Sequence, residues 1–111
     1  MDLPVGNEVA LNGTTAVTAL AAPASGKQRF VPPGGVTFYN EDTVAHVFTL
    51  QKKIDTTVYV LEKFSSAATL ATVKSTVAIV LDDTDEIIEV VSDATATTTE
   101  PSATVAAMET S

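Results

Sequence analysis

The chain has 111 residues, a net charge of −8, no cysteine and no tryptophan. That length is one domain, enough to bury roughly 65% of the unfolded surface without staples, and the missing thiols exclude a disulfide framework, a thiolate zinc site and a cysteine nucleophile. A chain this acidic is a poor nucleic-acid binder, because it repels phosphates instead of releasing their counterions.

The elements follow in chain order. Residues 1–13 carry Pro4, Gly6 and Gly13, with Leu3, Val5, Val9 and Leu11 at odd positions. This reads as an extended arm, expected to order on a neighbouring subunit through Leu3, Val5 and Leu11. The start lacks the charged n-region and apolar run of a signal peptide, and no stretch approaches the ~20 apolar residues of a membrane helix, so no membrane partner is expected. Residues 14–21 suit strand or helix, since alanine favours one and threonine with valine the other. Lys27 to Val31 is a short strand, ended by Pro32-Pro33-Gly34-Gly35, which removes donors and admits positive φ.

Val36 to Leu61 reads as three strands and two polar turns. Val36 and Phe38 lead into the turn residues Asn40-Glu41-Asp42. Val44, His46, Phe48 and Leu50 then alternate with smaller or polar residues, which places the large side chains on one face. Gln51 to Thr57 is a charged reversal, and Thr57 to Leu61 is the next strand. The segment 62–75 is an irregular connection with a short strand near Leu70 to Val73. Thr76 to Leu81 is a nearly continuous apolar strand, and Asp82-Asp83-Thr84-Asp85 is its turn. Glu86 to Ser92 shows either Ile87 and Val91 or Ile88 and Val90 to the core. A threonine-rich loop precedes a last strand at 102–108, and 109–111 is a tail. Seven or eight short strands at even spacing predict an all-β, antiparallel β-sandwich of jelly-roll type over residues 14–108. The expected core includes Phe38, Val47 or Phe48, Val60, Ile79, Ile88 and Val105.

Charge is unevenly distributed along the sequence. Residues 1–26 carry −2, residues 27–74 hold all six basic groups and carry +2, and residues 75–111 carry −8. This polarity predicts complementary patches that orient docking against other copies or a basic neighbour. Arg29, Lys52 and Lys53 are expected to share one basic strand edge and to form such a patch.

Candidate chemistry is sparse. Asp82, Asp83, Asp85 and Glu86 form the dense carboxylate cluster, and such oxygens suit Ca²⁺. The EF-hand spacing is absent, so a solvated turn is the expectation and no metal is assigned. His46 is the single histidine, and one imidazole without a second His or Cys is no transition-metal site. A Ser-His-Asp triad would have to use His46, and no G-x-S-x-G elbow accompanies it. His46 is expected to be a packed or subunit-contact residue. No phosphate-binding or other cofactor motif is present.

The run F-V-P-P-G-G-V-T-F-Y-N-E-D-T-V-A-H-V-F-T-L, then V-L-E-K-F, V-A-I-V-L-D-D-T-D-E-I-I-E-V-V and T-V-A-A-M, resembles small virion proteins of tailed bacteriophages over Phe30 to Met108. The resemblance implies a non-enzymatic virion component, assembled in the host cytoplasm and bound to capsid or neck proteins in homo-oligomeric form. A capsid decoration (cement) protein is the foremost reading. The alternatives are a neck, head-tail connector or tail component, or a small carbohydrate-binding sandwich, for which Tyr39 and Tyr59 would be the aromatic platforms.

Overall fold

Period-two alternation of large apolar and polar side chains sorts most of the chain into strands with one buried and one exposed face. The computed structural model describes residues 3–11 and 13–110. Among these, ten strands form: β1 (Leu3–Ala10), β2 (Val17–Leu20), β3 (Gln28–Val31), β4 (Val36–Asn40), β5 (His46–Ile54), β6 (Thr57–Ser66), β7 (Ala71–Lys74), β8 (Ile79–Leu81), β9 (Glu86–Ser92) and β10 (Ser102–Thr110). They make two antiparallel sheets, one of β1, β10, β3, β4, β7 and β8, the other in the order β2-β9-β5-β6.

Two of the strand lines are interrupted. β3 and β4 both pair with the same side of β10, end to end, with residues 32–35 between them. β7 pairs with β4 and β8 with β3, so they too are one line, broken at residues 75–78. Counted this way there are eight strand lines. The first pairs with the eighth, the second with the seventh, the third with the sixth and the fourth with the fifth. The eighth also pairs with the third, and the seventh with the fourth. A long antiparallel ribbon has been rolled upon itself, which is the jelly-roll order. The sandwich expected from strand spacing is therefore present, and the higher strand count comes from the two breaks.

The breaks have a specific chemistry. Gly34 adopts φ +80°, which favours glycine. At Gly35 a Cβ would stand 2.8 Å from Pro32 O and 3.0 Å from Ala106 O, so the turn admits no side chain there. Ser75, buried opposite, bridges the gap: its Oγ accepts from Val36 N at 3.1 Å, and its carbonyl accepts from Gly34 N at 2.7 Å.

The core lies between the sheets. Phe38 of one sheet stacks on Phe48 of the other, with ring centroids 5.0 Å apart and planes 4° from parallel; Phe64 sits 5.3 Å from Phe38. Leu50, Leu81, Ile88, Val31, Val36, Val90 and Val105 fill the space around them. Full burial contributes roughly 1.5–3 kcal/mol for each large apolar side chain. Phe38, Ile79, Ile88 and Val105 are inside as expected, and Phe48 rather than Val47 takes the inner face of β5. In β9 the inner residues are Ile88 and Val90.

Several expectations are corrected. Val60 is 55% exposed. β5 pairs Leu50 with Glu62 but Gln51 with Val60, so Leu61 is an extra residue in β6. Such a bulge reverses which face the preceding residues show, and alternation alone does not reveal it. The charged reversal at 51–57 is mostly strand: β5 runs to Ile54, and the turn is confined to Asp55, at φ 55°, and Thr56. The N-terminal arm is not a separate unit. Residues 3–10 pair with β10 along their whole length as an edge strand of the sandwich, and Leu11 is buried in the core. The tail likewise continues β10 through Thr110. Met1, Asp2, Asn12 and Ser111, which the arm and tail assignments include, lie outside the described residues.

Rolling also brings part of the segregated charge together. The acidic C-terminal third supplies β9 and β10, which sit in the interior of both sheets beside strands that carry the basic residues. Glu109 pairs with Arg29 at 3.3 Å and Glu86 with Lys52 at 3.5 Å. Glu89 accepts from Gln51 at 2.9 Å. A polarity read along the sequence is thus partly cancelled within the chain.

Candidate functional site

The densest polar cluster lies at one end of the sandwich, where β4, β5, β6 and β9 reach their loops. Its sequence origin is the turn chemistry of Asn40 and Asp42. Asn40 Oδ1 accepts from Asp42 N at 3.0 Å, and its Nδ2 donates to Val44 O at 3.0 Å and Ala67 O at 2.9 Å. Asp42 turns inward with no exposed side-chain surface. Its Oδ1 accepts from Thr43 N at 2.9 Å, Thr98 N at 2.9 Å and Thr98 Oγ1 at 3.0 Å; its Oδ2 accepts from Thr97 N at 2.9 Å. The backbone carbonyl of Asp42 accepts from Thr69 N at 2.9 Å. One residue therefore ties together three loops: 41–45, 67–70 and 93–101.

His46 completes the cluster. Its Nε2 lies 2.7 Å from Asp42 Oδ2, and its Nδ1 lies 3.1 Å from both Asp93 Oδ1 and Ser92 Oγ. Ser92 Oγ donates to Ala94 O at 3.1 Å, so towards His46 it presents a lone pair. The ring therefore has an oxygen partner at each of its two nitrogens. Phe48 stacks beneath it, with centroids 5.9 Å apart. The bond from His46, and after it the amides of Thr97, Thr98 and Thr43, hold the Asp42 carboxyl far below the usual carboxylate range, although burial alone pushes it up.

The cluster has the composition of a Ser-His-Asp triad but not its working geometry. Asp42, His46 and Ser92 are all buried, and the Ser92 hydroxyl hydrogen is spent on a backbone carbonyl. A nucleophile needs an approach path and a base to take its proton; here the arrangement acts as a lock on loops. His46, expected as a packed or contact residue, is packed inside and offers no contact surface.

The other expected site residues are dispersed. Arg29 and Lys52–Lys53 do not share an edge: β3 lies between β10 and β8, and β5 lies between β9 and β6. Arg29 donates to Ala21 O at 2.9 Å besides its pairing with Glu109, and Lys52 crosses to Val80 O of the other sheet at 2.8 Å. Both are committed within the chain. Lys53 is half-buried on β5, in register with Val58. The carboxylates at 82–86 diverge: Glu86 turns in to accept from Asp82 N at 2.8 Å, while Asp83 accepts from Thr84 N at 2.7 Å. Among the described residues, no three metal-ligating side chains converge. Leu3 is 50% exposed, and Val5 lines a groove on the outer face of the first sheet.

That face is what sequence reasoning missed. Pro4, Met108, Phe30 and Val80 lie in register across four strands and all point outward. Beside them a groove of about 430 Å³ is lined by Pro4, Val5, Gly6, Pro32 and residues 105–108. The alternation of each strand was legible, but strand order, which places these residues in one row, was not.

No family model matches the chain, and no curated protein matches it. Among solved structures, the chain is similar to the CBM22-1 and GH10 modules of a Clostridium thermocellum endo-1,4-β-D-xylanase complexed with xylohexaose (TM-score 0.49, 9% identity, covering 97% of this chain and 24% of that one). It is also similar to a chain of the IBDV viral particle (TM-score 0.40, 9% identity, 97% and 30% covered) and to one from the infectious bursal disease virus Gx strain (TM-score 0.28, 7% identity, 96% and 32% covered). The chain spans about a quarter to a third of these structures. What each of those proteins binds or builds belongs to that protein.

Proposed function

We propose that this chain is a non-enzymatic structural protein of a virion, placed in many symmetric copies on a capsid surface as a decoration protein. One observation carries the reading: large apolar side chains are exposed in groups instead of singly. Val58, Tyr59 and Val60 are 46%, 51% and 55% exposed on β6, an edge strand. Phe30, Val80 and Met108 form a second group on the other sheet. Grouped apolar surface is costly to leave in water and marks contact with other proteins. The buried lock at Asp42 supports the same reading, since it stiffens the loops that a catalytic site would use.

In this role apolar contact supplies most of the affinity, because exposed ion pairs are worth only ~0–1 kcal/mol each. Symmetric repetition lets weak contacts add, as each further engagement becomes effectively intramolecular. A neck or tail position would use the same surfaces. Mass spectrometry of particles purified from the source of this chain should find it in many copies, and purified protein should rebind stripped particles with an on-rate that falls as salt rises. Tight binding to a glycan array through Tyr39 or Tyr59, with no particle association, would overturn the assignment in favour of a carbohydrate-binding sandwich.

A further inference from the structure

The outer face of the first sheet is organised in rows. One row is Pro4, Met108, Phe30 and Val80; a parallel row is Glu8, Thr104, Thr37 and Lys74; beyond it run Ala10, Ser102, Tyr39 and Thr72. Between the first two rows lie Gly6 and Ala106, the floor of the groove, level with the Pro32–Gly35 turn. These residues face outward because their neighbours in sequence, such as Val36, Phe38, Ala103, Val105 and Ile79, are buried. Among the described residues of these rows, the charges are one carboxylate at the β1 edge and one ammonium at the β7 edge of a single row.

We propose that this face joins two copies of the chain in an isologous dimer, about a twofold axis parallel to the strands and midway between β10 and the β3–β4 line. Such a rotation reverses the order within each row and keeps the rows in place. It sets Glu8 of one copy against Lys74 of the other, Thr104 against Thr37, Met108 against Phe30 and Pro4 against Val80. The groove over Gly6 and Ala106 receives the exposed Pro-Pro turn of the second copy. The charge pattern selects this axis. A twofold axis across the strands would lay the Phe30 row on the polar Tyr39 row and put Glu8 against the groove floor, where it has no partner.

Aligned sheet packing departs from parallel by about 30°. The central pairs, Met108 with Phe30 and Thr104 with Thr37, therefore keep the closest register, and the long Glu8 and Lys74 side chains span the displacement at the edges. Four strand lines at ~4.8 Å spacing and about eight residues of length give a face on the order of 500 Å² per copy. Two such faces reach the roughly 1,000 Å² that a specific interface needs at the least, so the dimer is of the weak, concentration-dependent kind. It does not depend on the virion reading; a monomer that rebinds particles would remove the dimer alone.

Sedimentation equilibrium of the intact chain across a thousandfold concentration range tests the proposal. The 11.5 kDa monomer should give way to a species of twice that mass. Glu8→Lys and Lys74→Glu, both exposed positions, should each weaken dimerisation at least threefold at low salt, and the double variant should restore it. Met108→Lys should weaken it at least tenfold with an unchanged circular dichroism spectrum. A chain that stays monomeric throughout overturns the proposal, as does a dimer that is indifferent to the single charge reversals or is not rescued by the double one.

Discussion

The two ends of this sandwich invert the usual rule in opposite senses. At the Asp42 end, charged and polar groups are buried, and among the described residues no buried side-chain nitrogen or oxygen lacks a partner. At the far end of β5 and β6, apolar groups are exposed in a row. Buried polar networks become stabilising only when every member is satisfied, and exposed apolar rows become stabilising only when something covers them. The first end is therefore complete within one chain, and the second is complete only in an assembly. Val44 and Leu70, which are exposed in the lock loops, are the exceptions to this division.

The largest expected effect gives the yardstick for both ends. Phe38 stands between them, stacked on Phe48 and touching Phe64. Phe38→Ala should cost ~3–5 kcal/mol by removing a fully buried ring and leaving a cavity. The measurement is the urea midpoint at constant m-value. A loss under about 1 kcal/mol would mean that the two sheets do not depend on this stack, and that the ends could be stable separately.

How much of this contrast was legible in the sequence differs between the ends. The turn at Asn40-Glu41-Asp42 was readable from residue type, and so were the alternation of β5 and the apolar run at β8. The partners of Asp42 were not, because Thr97 and Thr98 lie 55 and 56 residues away and contribute backbone amides, which every residue has. The exposure of Val60 was hidden by the bulge at Leu61, since an inserted residue leaves composition unchanged while reversing the faces. His46 illustrates the middle ground: alternation placed it on one face with Phe48 and Leu50 but left open whether that face was core or subunit contact, and its burial and its carboxylate partners required the roll of the sheet. The basic edge failed for the same reason, as Arg29 and Lys52 fall on different sheets.

A smaller effect sharpens the lock. Asp42 has a folded-state pKa depressed below its unfolded value, chiefly by His46. Its contribution is thus fully present above the unfolded carboxylate pKa of about 4 and is lost progressively as pH falls below that. Wild-type stability should therefore decline as pH is lowered from about 4 towards 2. Asp42→Asn should be less stable at neutral pH, because a neutral amide accepts less strongly and places an NH₂ where acceptor oxygens meet Thr97 and Thr98. Its stability should also change less over the same acid interval. Equal slopes for the two proteins in chemical denaturation would show that other carboxylates govern the acid limb.

The smallest expected effect on stability belongs to the exposed end and tests the contrast most directly. Val58→Thr and Val60→Thr keep the β-branched shape that suits a strand while removing apolar surface that the isolated chain leaves in water. Because neither side chain is buried in the monomer, the double variant should unfold within about 0.5 kcal/mol of wild type, as surface substitutions usually do. Its rebinding to stripped particles should nevertheless weaken more than tenfold, since the same surface would be dry in the assembly and each threonine would bring an unpaired hydroxyl into it. Unchanged rebinding would move the docking surface off the β5–β6 hairpin. A large loss of monomer stability would show instead that Val58 and Val60 are already covered in the free protein, and the distinction between a finished end and an unfinished one would disappear.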